Sequence, residues 1–135
     1  AITPVIVADL CAEVGLDQKK HLAAAGIELS QSCSVVDEWP LDRDLVTDML
    51  NNAIQNAGRH ARSRVHLDAR LDAGWLVFSV EDDGPGFATL PPACGTGLTV
   101  AHRLAFLHRR QERDGSLHLS NGASLGGARF ELRLP

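Results

Sequence analysis

The sequence predicts an α/β two-layer sandwich, a mixed β-sheet covered on one face by three helices, with residues 1–135 forming a single domain. Three observations carry that prediction. Stretches 64–71, 75–82 and 128–134 alternate apolar and polar residues, the period of a strand with one buried face. Stretches 5–25, 42–60 and 97–110 space their apolar residues three and four apart, the period of an amphipathic helix. The order is helix, two strands, helix, two strands, loop, helix, two strands, which lets the helices stack on one side of the sheet.

Each element has its own signature. Val7, Leu10, Cys11, Val14, Leu22 and Ala25 line the first helix, which Gly15 interrupts and Gly26 stops. Ile27 to Ser30 and Cys33 to Val36 read as two short strands. Pro40 and Asp42 then open the second helix, whose buried stripe is Val46, Leu50, Ile54 and Ala57. Val65, Leu67, Ala69 and Leu71 share one face of the next strand, and Asp72-Ala73-Gly74 supplies a hairpin turn. Leu76, Phe78 and Val80 follow on a common face, and the same parity puts Asp82 there. A carboxylate at the end of a buried face costs several kcal/mol unless it is hydrogen-bonded. After a glycine- and proline-rich loop over 83–97, Leu98, Ala101, Leu104, Ala105 and Leu107 mark the third helix, with Arg109 to Asp114 as its solvated end. Strands Ser116–Ser120 and Ala128–Leu134 close the chain.

Composition narrows the function. A net charge of −4 argues against a general nucleic-acid binder, which carries a basic excess. Any bound polyanion has to be held by local features such as helix N-termini, glycine loops or single basic residues. Cys11, Cys33 and Cys94 have neither CxxC nor metal spacing, so they read as reduced thiols of a cytosolic setting, the first two as small buried hydrophobes. His21, His66, His102, His108 and His118 also lack metal spacing and take solvated or core roles. No apolar run reaches membrane-spanning length.

Three short stretches could carry chemistry. Asn52 and Asn56 lie four apart on the second helix and share a face, with Arg59 and His60 one turn on. Stacked neutral amides suit a hard cation such as Mg²⁺ that keeps phosphate and water as its other ligands; the alternative is a solvated helix face. Asp82-Asp83-Gly84-Pro85-Gly86-Phe87 leaves a strand directly. Its glycines permit close approach of a ligand, and Asp82 could accept from an exocyclic amine or merely brace a turn. Gly95-Thr96-Gly97-Leu98 opens the third helix, where free N–H groups favour phosphate oxygens or simply begin a helix.

In this order and on these elements, the three stretches resemble the GHKL ATPases of gyrase, Hsp90, histidine kinases and MutL, whose domain is the Bergerat fold. The histidine-kinase branch is the most similar. Asn52 to Ala61 resembles its N box, Asp82 to Phe87 its first glycine box and Gly95 to Leu98 its second. Gly126 to Pro135 resembles its closing strand. The resemblance implies an ATP-binding catalytic domain that transfers the γ-phosphoryl group to a histidine on a separate dimerisation domain. It implies that Asn56, helped by Asn52, holds Mg²⁺, that Arg59 stands near the phosphates and that His60 flanks the nucleotide. Asp82 would bond the adenine amine, with Gly84, Gly86 and Phe87 shaping the wall. Gly95, Thr96, Gly97 and Leu98 would meet the phosphates. It further implies a response regulator as partner, a homodimeric parent anchored in the inner membrane, and a cytoplasmic catalytic piece, monomeric on its own. Branches that hydrolyse ATP place a glutamate at the position of Asn52, and an amide is no general base at neutral pH. Asn52 therefore disfavours an anti-sigma-type serine kinase.

The chain departs from the family in several respects, with Thr99 where a further glycine is common and Ala128 where a threonine or serine is. Only Ala88 to Cys94 separate the two glycine boxes, a short lid containing Pro91-Pro92. That lid leaves open a degenerate nucleotide-binding or docking module without kinase activity. The phosphoacceptor is a further gap: His21 is followed by Leu22 on a short helix, unlike the family's phosphorylated histidine. The isolated chain is therefore expected not to phosphorylate itself. Incubation with radiolabelled ATP should leave no acid-labile label on it, and such label would refute the expectation.

Overall fold

A computed structural model describes residues 1–88, 108–110, 113–122 and 124–135. The elements are β1 (Thr3–Ile6), α1 (Val7–Ala24), β2 (Glu28–Cys33), β3 (Glu38–Leu41), α2 (Arg43–His60), β4 (Arg64–Asp72), β5 (Trp75–Asp82), β6 (Arg109–Arg110), β7 (Arg113–Asp114), β8 (Ser116–Asn121) and β9 (Ala128–Leu134). The main sheet has the order β2-β4-β5-β9-β8. Its β2–β4 pair is parallel and the other pairs are antiparallel, so the sheet is mixed, as the sequence predicts.

α1 and α2 pack on one face of this sheet. Leu10 and Val14 of α1 and Met49, Leu50 and Ile54 of α2 meet Val65, Leu67, Leu76, Phe78, Leu132 and Leu134 in one buried cluster. Burying a residue of that size stabilises by about 1.5–3 kcal/mol, which is why the alternation in β4, β5 and β9 could be read directly. β4 and β5 are joined by the two-residue loop Ala73-Gly74, both at positive φ (49° and 84°), the backbone of a primed hairpin turn.

Several boundaries differ from the sequence reading. The first helix starts at Val7, because Thr3–Ile6 pairs with Glu38–Leu41 as a separate two-stranded ribbon. Strands expected at 27–30 and 33–36 are replaced by one continuous β2, whose ladder with β4 runs from Glu28↔Arg64 to Cys33↔Ala69. A partner distant in sequence carries the strand across the polar Gln31 and Ser32. Leu71 is half-exposed at the hairpin end, and Ala25 is exposed as the C-cap of α1. Cys33 is exposed too; only Cys11 is the buried hydrophobe expected, with burial foremost pushing its thiol up to about 12 and Cys33 beside it adding to the rise.

The third predicted helix falls mostly outside the described residues. Its expected end is corrected: Arg109–Arg110 pairs antiparallel with Arg113–Asp114, so the run to Asp114 is a small hairpin and not a helix terminus. His108, just before it, is buried, and its Nε2 accepts the Asp42 N–H at 3.1 Å. That bond docks the entry to the hairpin on the start of α2.

Asp42 also caps α2: in extended conformation, its Oδ1 accepts the Leu45 N–H at 3.1 Å. Asp42→Ala is expected to lower unfolding free energy by about 1 kcal/mol, read from the urea midpoint at constant slope.

Candidate functional site

A cavity of about 280 Å³ opens between α2, the end of β5 and the β8–β9 pair. Ala53, Asn56, Ala57 and His60 line it from α2, Val80 and Asp82 from β5, and Gly86, Phe87 and Ala88 from the loop that follows. Leu119, Ala128 and Phe130 complete the wall. The wall is mostly apolar, with Asp82, Asn56 and His60 as its polar side chains. Such a lining suits a flat apolar ligand fixed by a few polar contacts.

Asp82 is 2% exposed. Its Oδ1 accepts the Gly84 N–H at 2.9 Å and the Ala128 N–H at 3.2 Å. The Asp82 carbonyl accepts the Gly127 N–H at 3.1 Å. Among the described residues no hydrogen bond engages Oδ2. One oxygen is thus bound to backbone, while the other is left to receive a donor from the cavity. Two glycines make this possible. A Cβ on Gly127 would collide with the Asp82 carboxylate, and one on Gly84 would collide with the His60 carbonyl at the end of α2.

Asp83 points the other way and pins the α2–β4 turn. Its Oδ1 accepts the N–H groups of Arg62, Ser63 and Arg64 at 2.9, 3.0 and 3.1 Å, and the Ser63 hydroxyl donates to Oδ2 at 2.7 Å. The Ser63 N–H foremost, with the Ser63 hydroxyl and the other two amides, holds the Asp83 carboxyl well below the usual carboxylate range.

The structure brings Asn56, His60, Asp82, Gly86 and Phe87 to one cavity, with Gly84 buried behind it. Asn52 is exposed one turn before Asn56 and does not line the cavity. Arg59 is exposed and lines a separate open groove with His21, Gln55 and Arg62. Gly95, Thr96, Gly97 and Leu98 lie outside the described residues. The sequence reading missed Asp83, Gly127, Asn121 and the wall residues Ala53, Ala57, Leu119 and Phe130. Small residues at 53 and 57, four apart on the side of Asn56, were a signal for the helical wall; Asn121 had none.

Comparisons with known proteins agree on the architecture. The family described as histidine kinase-, DNA gyrase B- and HSP90-like ATPase matches residues 41–135. The two-component sensor PhoQ of Pseudomonas aeruginosa is 33% identical over 122 residues, covering 79% of this chain and 26% of PhoQ. The chain thus spans about a quarter of the length of the curated relatives it matches. The ATP-binding domain of PrrB from Mycobacterium tuberculosis superposes with a TM-score of 0.81 at 26% identity, covering 99% of this chain and 96% of that one. The catalytic domain of histidine kinase ThkA gives 0.83 at 18% identity, over 100% of this chain and 96% of that one, a likeness of fold.

The Asp83 clamp has a pH signature. A carboxyl whose folded pKa is depressed adds stability that is fully present above its unfolded value, about 3.9, and is lost as pH falls through the folded one. Asp83→Asn keeps an acceptor but removes the charge. It is expected to cost about 1 kcal/mol at pH 7, discounted for solvent screening of a partly exposed group. Urea titrations should show the gap to wild type narrowing below pH about 4; a gap that widens there would contradict the clamp.

Proposed function

This chain belongs to the histidine kinase-, DNA gyrase B- and HSP90-like ATPase family, and from that premise we propose that it is the ATP-binding catalytic domain of a two-component sensor histidine kinase. In this reading the γ-phosphoryl group of ATP passes to a histidine on a separate dimerisation domain, and from there signalling reaches a response regulator. The parent acts as a dimer with this domain on the cytoplasmic side. Among the described residues no helix is long and apolar enough to cross a membrane.

The observation that carries the reading is the buried Asp82, with one carboxylate oxygen tied to backbone and the other open to the cavity. An exocyclic amine donating to Oδ2 satisfies it; a base with a carbonyl there sets acceptor against acceptor and leaves both unpaired. Ala53, Ala57, Val80, Leu119 and Phe130 supply apolar faces for a purine ring. A cavity of about 280 Å³ is the size for a nucleobase and not for the triphosphate, which extends past Asn56 and His60.

Mg²⁺ fits the residues present. The Asn56 amide stands at the cavity with the Asn52 amide one turn away, both neutral oxygen donors. Among the described residues no cluster of three or more His, Cys, Asp or Glu offers a competing metal site. Bound between amides and phosphates, the ion would neutralise charge on the γ-phosphoryl group. The chain's own part is to hold the base at Asp82, to orient the phosphates from α2 and the second glycine box, and to present an amide at Asn52 where a hydrolase places its general base.

Titration calorimetry tests these roles. ATP is expected to bind more tightly with Mg²⁺ than without. Asp82→Asn should weaken adenine nucleotides by more than about tenfold, the cost of losing an acceptor for a buried amine. Asn56→Ala should change metal-free ADP by less than about twofold, because its role is routed through the metal. Equal losses would show the roles wrongly assigned, and no binding to wild type would make the chain a docking module.

A further inference from the structure

The cavity wall is held by chain connectivity or sheet pairing on most of its circumference. β5 runs into the Gly86–Ala88 loop covalently, and β5, β9 and β8 are joined as a sheet. Gly84 and Asp83 tie the loop's start to the end of α2 and the turn after it. Among the described residues one seam remains, between Phe87 and the end of β8.

Asn121 closes that seam. The Phe87 N–H donates to Asn121 Oδ1 at 2.7 Å, and Asn121 Nδ2 donates to the Phe87 carbonyl at 2.9 Å. Among the described residues these are the only hydrogen bonds of Gly86–Ala88. The side-chain amide takes both backbone groups of Phe87, as a neighbouring strand would, and only Asn and Gln can offer donor and acceptor in that plane. Gly86 is shaped for the contact: its φ is +81°, and a Cβ there would lie 2.6 Å from Asn121 Oδ1. Asn121 itself is exposed and does not line the cavity, whereas Phe87 and Ala88 do.

We propose that Asn121 is a positioning residue for the nucleobase pocket: its amide clasps the Phe87 backbone to the end of β8, fixes the outer wall at the pocket mouth and slows ligand release. The proposal rests on the nucleotide-binding reading above. The clasp makes no contact with the ligand, so it acts on the closed mouth and not on diffusional entry. Its loss therefore falls on the dissociation rate, as most affinity changes at a fixed site do.

Stopped-flow fluorescence with mant-ADP, alongside amide hydrogen exchange of the whole chain, tests this. In Asn121→Ala the Phe87 amide should lose protection, and mant-ADP should leave about fivefold faster with its association rate unchanged. Asn121→Asp keeps the acceptor for the Phe87 N–H but sets a carboxylate against its carbonyl. It should retain Phe87 protection and release at an intermediate rate, and it serves as the test if the alanine variant does not fold. If Phe87 exchanges equally in wild type and Asn121→Ala, the clasp is absent. If Phe87 protection falls while release stays at the wild-type rate, the clasp exists without the proposed role. Either result overturns the proposal with nucleotide binding intact. A wild-type chain that does not bind mant-ADP would instead overturn the nucleotide reading and this proposal with it.

Discussion

The burial of the Asp82 carboxylate constrains everything around it. An ionised group taken out of water costs several kcal/mol unless it is bonded, and two backbone N–H groups do that bonding at Oδ1. They come from different parts of the chain, the loop after β5 and the start of β9. Both segments must therefore approach the carboxylate closely, and Gly84 and Gly127 are the residues that let them. The absence of a side chain at Gly84 also lets the loop rest on the His60 carbonyl, which carries the constraint to the end of α2. Asp83 repeats the device one residue later, facing outward, on the three amides of the α2–β4 turn. The cavity is the space left between elements that these two adjacent carboxylates hold in place.

How much of this could be read in the sequence follows from how local each interaction is. β4 and β5 were legible because both strands alternate and their two-residue turn is contiguous with them. The buried parity of β5 also exposed Asp82 as an oddity. The limits of β2 and β3 were not legible, because each is set by a partner distant in sequence: β4 for the first, β1 for the second. The hairpin at Arg109–Asp114 resembles a charged helix end until His108 is seen buried against Asp42. In the site, Asn56 and His60 could be placed from helical spacing. Arg59 falls instead on the adjoining side of the helix with Gln55 and Gly58, and with them lines the neighbouring groove. Asn121 acts on the site through Phe87, 34 residues back along the chain, and Gly127 through Asp82, to which the next residue, Ala128, also bonds from 46 residues on.

The face of the sheet away from the helices shows what happens where no such cavity is built. Arg70 reaches Ser79 at 2.7 Å and Glu131 at 3.0 Å, and Arg133 reaches Asp72 at 3.0 Å. Ser30 and Ser32 take the two ring nitrogens of His66 at 2.7 and 2.9 Å. These partly exposed pairs satisfy one another and stabilise by at most about 1 kcal/mol each.

If the cavity takes a nucleotide as proposed, its distribution of charge separates two tasks. The base end carries the one buried carboxylate, rigidly mounted, and a rigid acceptor discriminates because nothing can move to relieve a wrong partner. In the proposed reading the phosphates lie toward Asn56 and His60, an amide and an imidazole where an enzyme built to activate water would place a carboxylate. With that donor set, the negative charge that attracts a cation comes from the ligand's phosphates and not from the protein. In the proposed reading metal affinity then depends on nucleotide being present, and Asn52 and Asn56 offer the reacting phosphoryl group amides in place of a carboxylate base. A site arranged this way is suited to hand the group to a nucleophile that arrives from elsewhere, already competent to attack.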